Sequence, residues 1–336
     1  MTAVAISAPP DIDHGTLETL VLLLTWRCPA ACDHCVFESG PDNKVDLDIE
    51  AAKAAVDAAA RLSPRPSLSF SGGEPFAARK AMNQLLQRAS AYGMASEIVT
   101  SCAWVADARR TRQILEEMQS NGLQVLCVSF DRFHTPFVAS WKVAMAIASA
   151  VDLGLHVVVN VLEEEFDARD HDRLADALDL DRDQLRAVRI HPQRVNDVGR
   201  ARKTGSADRS GTTSFRGGCS RAGRFPTITP DGLLFPCCGP VVGEQAPGRK
   251  LFEIGALETA DSDTVSEAFE ALDDDLMVRL LSRIGPLGII QMAQGSSGAH
   301  SQAEYVNQCD ICLTIATDGA LNHEVTELLA HIDSLV

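Results

Sequence analysis

The sequence predicts an α/β chain: a parallel sheet wound with helices, followed by a smaller cysteine-bearing unit. Three observations predict it. Short β-rich runs alternate with amphipathic stretches up to about residue 200. The β-rich runs are near-continuously apolar, as strands buried on both faces are. Beyond residue 200 the alternation stops and cysteines recur at wide spacings.

The first 16 residues carry Pro and Asp without periodicity and predict a loose lead-in. Strands are predicted over 17–26, 67–71, 96–101, 124–130, 156–162 and 186–191. Helices are predicted over 48–62, 76–92, 107–121, 137–153 and 169–180. Asn121-Gly122 stops the third helix, and Gly154 follows the fourth. Six strands joined by five helices imply right-handed parallel crossovers, which fit an open doubly wound sheet or an incomplete β/α barrel. Residues 201–218 lie in a Gly-, Ser-, Arg- and Lys-rich stretch and predict a linker. After it, "RFPTITPDGLLFPCC" carries the turn signal Asp231-Gly232 of a hairpin. A helical acidic stretch (263–284), a Gly/Ser-rich loop (294–299) and a C-terminal helix (321–336) complete the second unit, which spans 219–320 with that helix behind it.

The chain has 336 residues, enough for a large domain and a smaller one, with 46% hydrophobic and 23% charged residues. The net charge of -16 argues against nucleic acid or an anionic membrane as the main partner. No apolar run is expected to reach the roughly 18 residues of a membrane span, and "LETLVLLLTW" (17–26) reads as a buried strand. Ten cysteines without a secretion signal point to a reducing, cytoplasmic setting and to metal.

Cys28, Cys32 and Cys35 form C-x3-C-x2-C just after the first strand, at the sheet end where active sites of parallel α/β folds form. Three thiolates suit a cubane cluster with one iron left open, or a structural zinc site completed by His34 or a distant cysteine. The second strand ends in Gly72-Gly73-Glu74-Pro75. Two glycines admit close backbone approach of a ligand, and Glu74 with free backbone groups suits an ammonium group. In the second unit, Cys219 and Cys237 stand as C-x17-C, with Gly232 in a G-x4-C element, and Cys309 and Cys312 as C-x2-C. Their spacing leaves zinc and iron–sulfur both open.

The C-x3-C-x2-C loop followed by the GGEP turn resembles the radical S-adenosylmethionine (SAM) superfamily, over roughly residues 17–200. The resemblance implies a partial (β/α)6 TIM-like barrel. It implies that Cys28, Cys32 and Cys35 hold a [4Fe-4S] cluster whose free iron takes the SAM amino and carboxylate groups, with Gly72, Gly73, Glu74 and Pro75 at SAM. His34 stands where relatives place an aromatic residue near the adenine. Ser129 and Asp131, after the fourth strand, are candidates for the SAM ribose or the substrate, and Arg200 in "GRA" for the SAM carboxylate. The reaction implied is reductive cleavage of SAM to a 5′-deoxyadenosyl radical that abstracts a substrate hydrogen. A one-electron reductant such as flavodoxin or ferredoxin is implied with it.

The C-terminal cysteines resemble the SPASM/twitch extension, a small α+β domain. The resemblance implies one auxiliary [4Fe-4S] cluster on Cys219, Cys237, Cys309 and Cys312. Cys238, next to a ligand in "FPCCGP", resembles the hydrogen-donor cysteine of radical SAM epimerases, including the epipeptide epimerases. A merely buried thiol, or a ligand in place of Cys237, are its other readings. Three functions follow: epimerisation of a ribosomally made peptide or an aminoglycoside-like metabolite; a cross-linking maturase or dehydrogenase; or a zinc-binding protein without catalysis. Only 27 residues precede Cys28, which leaves no room for a leader-binding domain and favours a separate recognition protein or a small substrate. Cys102 reads as a small buried residue, and Glu163–Glu165 as a solvated face or a contact for a cationic substrate.

Overall fold

The strand β1 (Thr19–Leu23) opens a single nine-stranded sheet, ordered β6-β5-β4-β3-β2-β1-β7-β8-β9. The computed structural model describes residues 17–207, 215–243, 247–257 and 261–335, so the lead-in expected at 1–16 and part of the expected linker lie outside the described residues. The other barrel strands are β2 (Ser67–Ser71), β3 (Ser96–Thr100), β4 (Val125–Ser129), β5 (His156–Leu162) and β6 (Val188–Gln193), each parallel to its neighbour. The helices among them are α1 (Ile49–Arg61), α2 (Arg79–Ala91), α3 (Ala108–Ser120), α4 (Ser140–Asp152), α5 (His171–Leu178) and the short α6 (Arg182–Arg186). This is the predicted partial barrel, with its strands within a few residues of the predicted ranges.

Side-chain alternation sorts the strands into two faces. Leu20, Leu22, Leu68, Phe70, Ile98, Leu126, Val128, Val157, Val159 and Ile190 face outward into a core shared with the helices. Val21, Ser69 and Glu97 face the lumen in one register, and Val99, Cys127, Val158 and Arg189 in the next. Helix starts follow local chemistry. The Asp48 carboxylate accepts from the backbone N–H of Glu50 and Ala51 at α1, and Asp107 accepts from Arg110 at α3; such caps are worth about 1 kcal/mol each. Two differences from the predicted helices have local causes. Residues 75–78 form a 3-10 turn capped by Glu74 before α2 begins. At α4 the chain first makes a turn in which Asp131 accepts from the N–H of Phe133 and His134, so the helix begins only at Ser140.

The second unit is joined to the barrel rather than hung from it. Helix α7 (Arg200–Thr204) occupies the start of the expected linker. The expected hairpin is β7 (Thr227–Ile228) and β8 (Leu233–Phe235), with Gly232 at φ 79 in its turn. β7 pairs in parallel with β1, so the hairpin extends the barrel sheet, and β9 (Gly255–Ala256) ends it. Helices α8 (Ser262–Asp274), α9 (Leu276–Gln294), α10 (Gln308–Thr317) and α11 (Gly319–Asp333) follow. Their second core joins Val21, Leu23 and Phe235 to Leu281, Ile289, Ile290, Ile311 and Val325. By length and composition alone α9 passes for a membrane span, 19 residues with an apolar window of mean hydropathy 1.3, contrary to the sequence expectation. It is not one continuous helix: Gly285, at φ 72 before Pro286, breaks it, and both halves bury apolar residues in the protein.

Candidate active site

The cysteine loop is held by backbone pairing before any side chain acts. Past β1, Leu24 donates to Ser71 O (3.0 Å), Trp26 to Val45 O (3.0 Å) and Cys28 to Gly40 O (3.0 Å), and Cys35 donates to Cys32 O (3.1 Å). The GGEP turn zips onto this path: Gly73 N–H donates to Thr25 O at 2.7 Å and Glu74 N–H to Arg27 O at 2.8 Å. A Cβ at Gly72, whose φ is 123, would lie 2.6 Å from Thr25 O, and one at Gly73 would lie 2.3 Å from Arg27 O. The glycines are therefore required by the cysteine loop itself, whatever ligand they also admit.

Loop and turn enclose a cavity of about 240 Å³ lined by Cys28, Cys32, Cys35, Gly72 and Gly73. Burial, reinforced by the neighbouring carboxylate and thiols, pushes the Cys28 thiol up to about 12. A metal that displaces the proton relieves that cost. Two buried polar atoms of residues lining this cavity, His34 Nδ1 and Ser39 Oγ, have no hydrogen-bond partner among the described residues. Three convergent thiols beside orphaned polar atoms fit an iron–sulfur cluster with a polar organic ligand next to it.

Two residues expected at SAM are engaged elsewhere. Glu74 is 3% exposed, and its carboxylate accepts from Thr100 Oγ1 (2.8 Å), Ser101 Oγ (2.6 Å), Ser101 N–H (3.0 Å) and Phe76 N–H (3.3 Å). It ties the end of β2 to the end of β3, and neither it nor Pro75 lines the cavity. Burial raises its pKa despite those four donors. Arg200 likewise turns to the loop backbone. It donates from Nη1 to Cys32 O (2.6 Å), from Nη2 to Ser39 O (2.8 Å) and from its N–H to Cys35 O (3.0 Å). Both share a physical reason: a carboxylate or guanidinium drawn out of water takes the hydrogen-bonding groups nearest to it.

His34 stacks on Phe133, with ring centroids 4.6 Å apart. Its Nε2 lies 3.6 Å from Asp131 Oδ2, which also takes His134 Nδ1 at 2.8 Å. Burial works against the charge on Asp131, but hydrogen bonds with His134 and His34 hold its carboxyl well below the usual range. Burial also opposes charge on His134, yet Asp131 and the Cys32 sulfur push it up to about 10. Asp131 thus organises two imidazoles beside the cysteine loop, and Ser129 lines both this cavity and the barrel lumen. His134 is the member of this group that the sequence left without a role. The signal was its spacing from Asp131, i to i+3 in a turn.

The lumen is a second cavity of about 500 Å³. Sequence reasoning passed over its β6 wall, where Arg189, His191 and Gln193 alternate with Val188 and Ile190. That period-two pattern was legible as a polar face opposite an apolar one. Arg221 also lines the lumen. The run Glu163–Glu165 faces arginines instead: Glu164 and Glu165 pair with Arg132, and Glu163 with Arg194.

A third cavity, of about 520 Å³, brings together Cys219, Cys237, Cys238, Cys309 and Cys312. Burial first, then the neighbouring thiols, pushes Cys237 and Cys312 well up and Cys309 to about 12. Half-buried thiols gathered in one cavity, with no disulfide among them, fit a bound metal or cluster. Cys238 alone of the five also lines the barrel lumen, and Arg221 Nη1 approaches its Sγ at 3.8 Å. Cys102 is fully buried at φ 66, behind the β3 end.

Residues 16–131 match the family described as "4Fe-4S single cluster domain". Among curated proteins the chain is similar to the putative peptide biosynthesis protein YydG of Bacillus subtilis (strain 168), at 23% identity over 236 residues, covering 68% of this chain and 71% of the relative. Among solved structures it resembles native anSMEcpe with bound AdoMet and Cp18Cys peptide, with a TM-score of 0.52 and 11% identity, covering 94% of this chain and 99% of that one. A looser likeness, with a TM-score of 0.48 and 13% identity, is to BtrN in complex with AdoMet and 2-DOIA, covering 81% of this chain and 89% of that one.

Proposed function

We propose that this chain, a radical SAM enzyme with a SPASM/twitch-type extension, epimerises a residue of a ribosomally made peptide, with Cys238 as hydrogen donor. The observation that carries the reading is the place of Cys238: it lines both the lumen and the cavity of the C-terminal cysteines, whereas Cys237 lines only the latter. A similar protein named for peptide biosynthesis, and a fold shared with a structure holding AdoMet and a peptide, support the substrate class.

In this reading Cys28, Cys32 and Cys35 hold the [4Fe-4S] cluster, and Cys219, Cys237, Cys309 and Cys312 hold the auxiliary cluster. Gly72 and Gly73 edge the SAM site, His34 and Ser129 face the nucleoside, and Glu74, Pro75, Asp131 and Arg200 hold the surrounding backbone and imidazoles in place. When bound, the cluster and SAM would supply the radical chemistry that removes a hydrogen atom from a substrate C–H. The chain's own residues shape the lumen that holds the peptide carbon and keeps water away from it. Cys238 returns a hydrogen atom from its S–H to the opposite face of that carbon. The sulfur radical left behind regains a thiol by taking one electron, from a reductant of the flavodoxin or ferredoxin kind, and one proton from solvent. A cytoplasmic setting supplies both, and a separate protein presents the peptide leader.

The test is turnover in D2O. Epimerisation predicts one deuterium per event at the changed carbon and no other mass change. Cys238→Ala should still consume SAM but yield no epimer. A product lighter by about two mass units, formed equally by Cys238→Ala, would replace this reading with dehydrogenation or cross-linking.

A further inference from the structure

The lumen carries positive charge against the composition of the chain. The protein has 30 Lys and Arg against 46 Asp and Glu, and many of its arginines meet a carboxylate, as Arg27 meets Asp46 and Arg88 meets Asp57. Arg189 and Arg221 line the lumen and have no carboxylate within ion-pair distance among the described residues. Between them stands His191, on the same face of β6 as Arg189. Burial first, then the charges of Arg189 and Arg221, lowers the pKa of His191, which places both guanidiniums in one field.

The lumen's two acids, among the described residues, have partners of their own. Asp131 is taken by His34 and His134. Glu97 accepts from Cys127 Sγ at 3.7 Å, near the start of β3. Arg221 reaches 3.8 Å from Cys238 Sγ, and its guanidinium carbon lies over the Phe225 ring, 5.4 Å from the centroid.

We infer that Arg221 and Arg189, flanking His191, form a carboxylate-binding wall of the lumen, so that the substrate is a peptide bearing an acidic group close to the residue that meets Cys238. A planar guanidinium without a carboxylate partner suits bidentate carboxylate binding. A cleft lined by one sign of charge also concentrates ligands of the opposite sign, by roughly tenfold or more. The acidic exterior leaves this wall as the place where such a group is favoured. This specificity rests on the epimerase reading for its substrate, but not for its charge preference.

The experiment alkylates the reconstituted holoenzyme with iodoacetate and, separately, with iodoacetamide, and reads Cys238 by peptide mass spectrometry. In each case the thiolate sulfur displaces iodide from carbon and its proton passes to buffer. The two reagents differ in one carboxylate. The ratio of iodoacetate to iodoacetamide rates at Cys238 should exceed that of free glutathione by about tenfold. It should return to the glutathione ratio in Arg189→Gln/Arg221→Gln, with Arg221→Lys between. A ratio equal to glutathione's in the wild-type protein, or unchanged in the double variant, overturns the carboxylate wall and leaves the hydrogen-donor reading standing. A Cys238 that reacts with neither reagent overturns both, because its sulfur then does not face the lumen. Capped peptides distinguish the source of the carboxylate. Protection of Cys238 by an internal Asp/Glu peptide, and not by its Asn/Gln twin, assigns a side chain; protection by an uncapped neutral peptide assigns a C-terminus. Failure of both to protect more than the capped neutral peptide overturns the substrate assignment.

Discussion

The two cysteine sites of this molecule are built in opposite ways. Cys28, Cys32 and Cys35 lie on one loop, and that loop is shaped by backbone hydrogen bonds to Gly40, Val45 and the GGEP turn, with Arg200 gripping its carbonyls. Cys219, Cys237, Cys309 and Cys312 come from segments that meet only when β7 has joined β1 and α9 and α10 have packed over Phe235. The first site takes all three thiols from one short loop, braced by backbone and by Arg200. The second exists only as a product of long-range folding. Metal at the first site should therefore act mainly on chemistry, and metal at the second mainly on stability.

The largest expected effects test that division directly. Cys28→Ala should reduce SAM cleavage to background and remove about four of about eight irons, with little change in thermal stability. Cys312→Ala should remove a similar number of irons but retain SAM cleavage, and should lower Tm by about 5–10 °C because binding energy there is folding energy. Iron counting, 5′-deoxyadenosine yield and thermal unfolding under nitrogen check all three quantities. If Cys28→Ala lowered Tm more than Cys312→Ala, the contrast would be wrong.

A smaller effect sharpens the account of the first site. Arg200→Ala removes two charge-assisted bonds to the loop, each worth roughly 1.5–3 kcal/mol. Iron should leave the loop about tenfold faster in the presence of a chelator, while the KM for SAM stays within about twofold. A tenfold rise in KM with unchanged iron retention would return Arg200 to the SAM carboxylate, where the sequence alone had placed it.

How far the sequence could be read follows the same divide. The strands, the Asp231-Gly232 turn and the C-x3-C-x2-C loop are local signals, and each lies where the pattern put it. The partners of Glu74 and Arg200 were not legible, because a motif records which residue types are needed, not which way a charge turns. Only the positions of Thr100, Ser101 and the Cys32 carbonyl decide that. The pairing of β7 with β1 was invisible for another reason: two-residue strands carry almost no periodicity. The cationic face of β6 was legible in the alternation of Arg189, His191 and Gln193. It was passed over because nothing in the sequence says which face of a barrel strand is the lumen.

The smallest effect provides the reference for the others, since it lies far from both cysteine sites. Arg88 on α2 donates to both oxygens of Asp57 on α1, at 2.5 and 2.6 Å, and Tyr92 Oη donates to the same carboxylate at 2.9 Å. These bonds hold Asp57 below its ordinary value of 3.8. A depressed carboxyl contributes stability that is present above its unfolded pKa and is lost as pH falls toward the folded one. The pair is partly exposed, so solvent screening limits it to about 1 kcal/mol, or about 2–4 °C in Tm at neutral pH. Asp57→Asn should lose that increment, and the gap to wild type should close as pH falls below 3.8. Iron content and SAM cleavage should not change. Were Asp57→Asn to release iron from either site, stability and metal loading would be coupled throughout the fold, and the separation between a locally built and a globally built site would not hold.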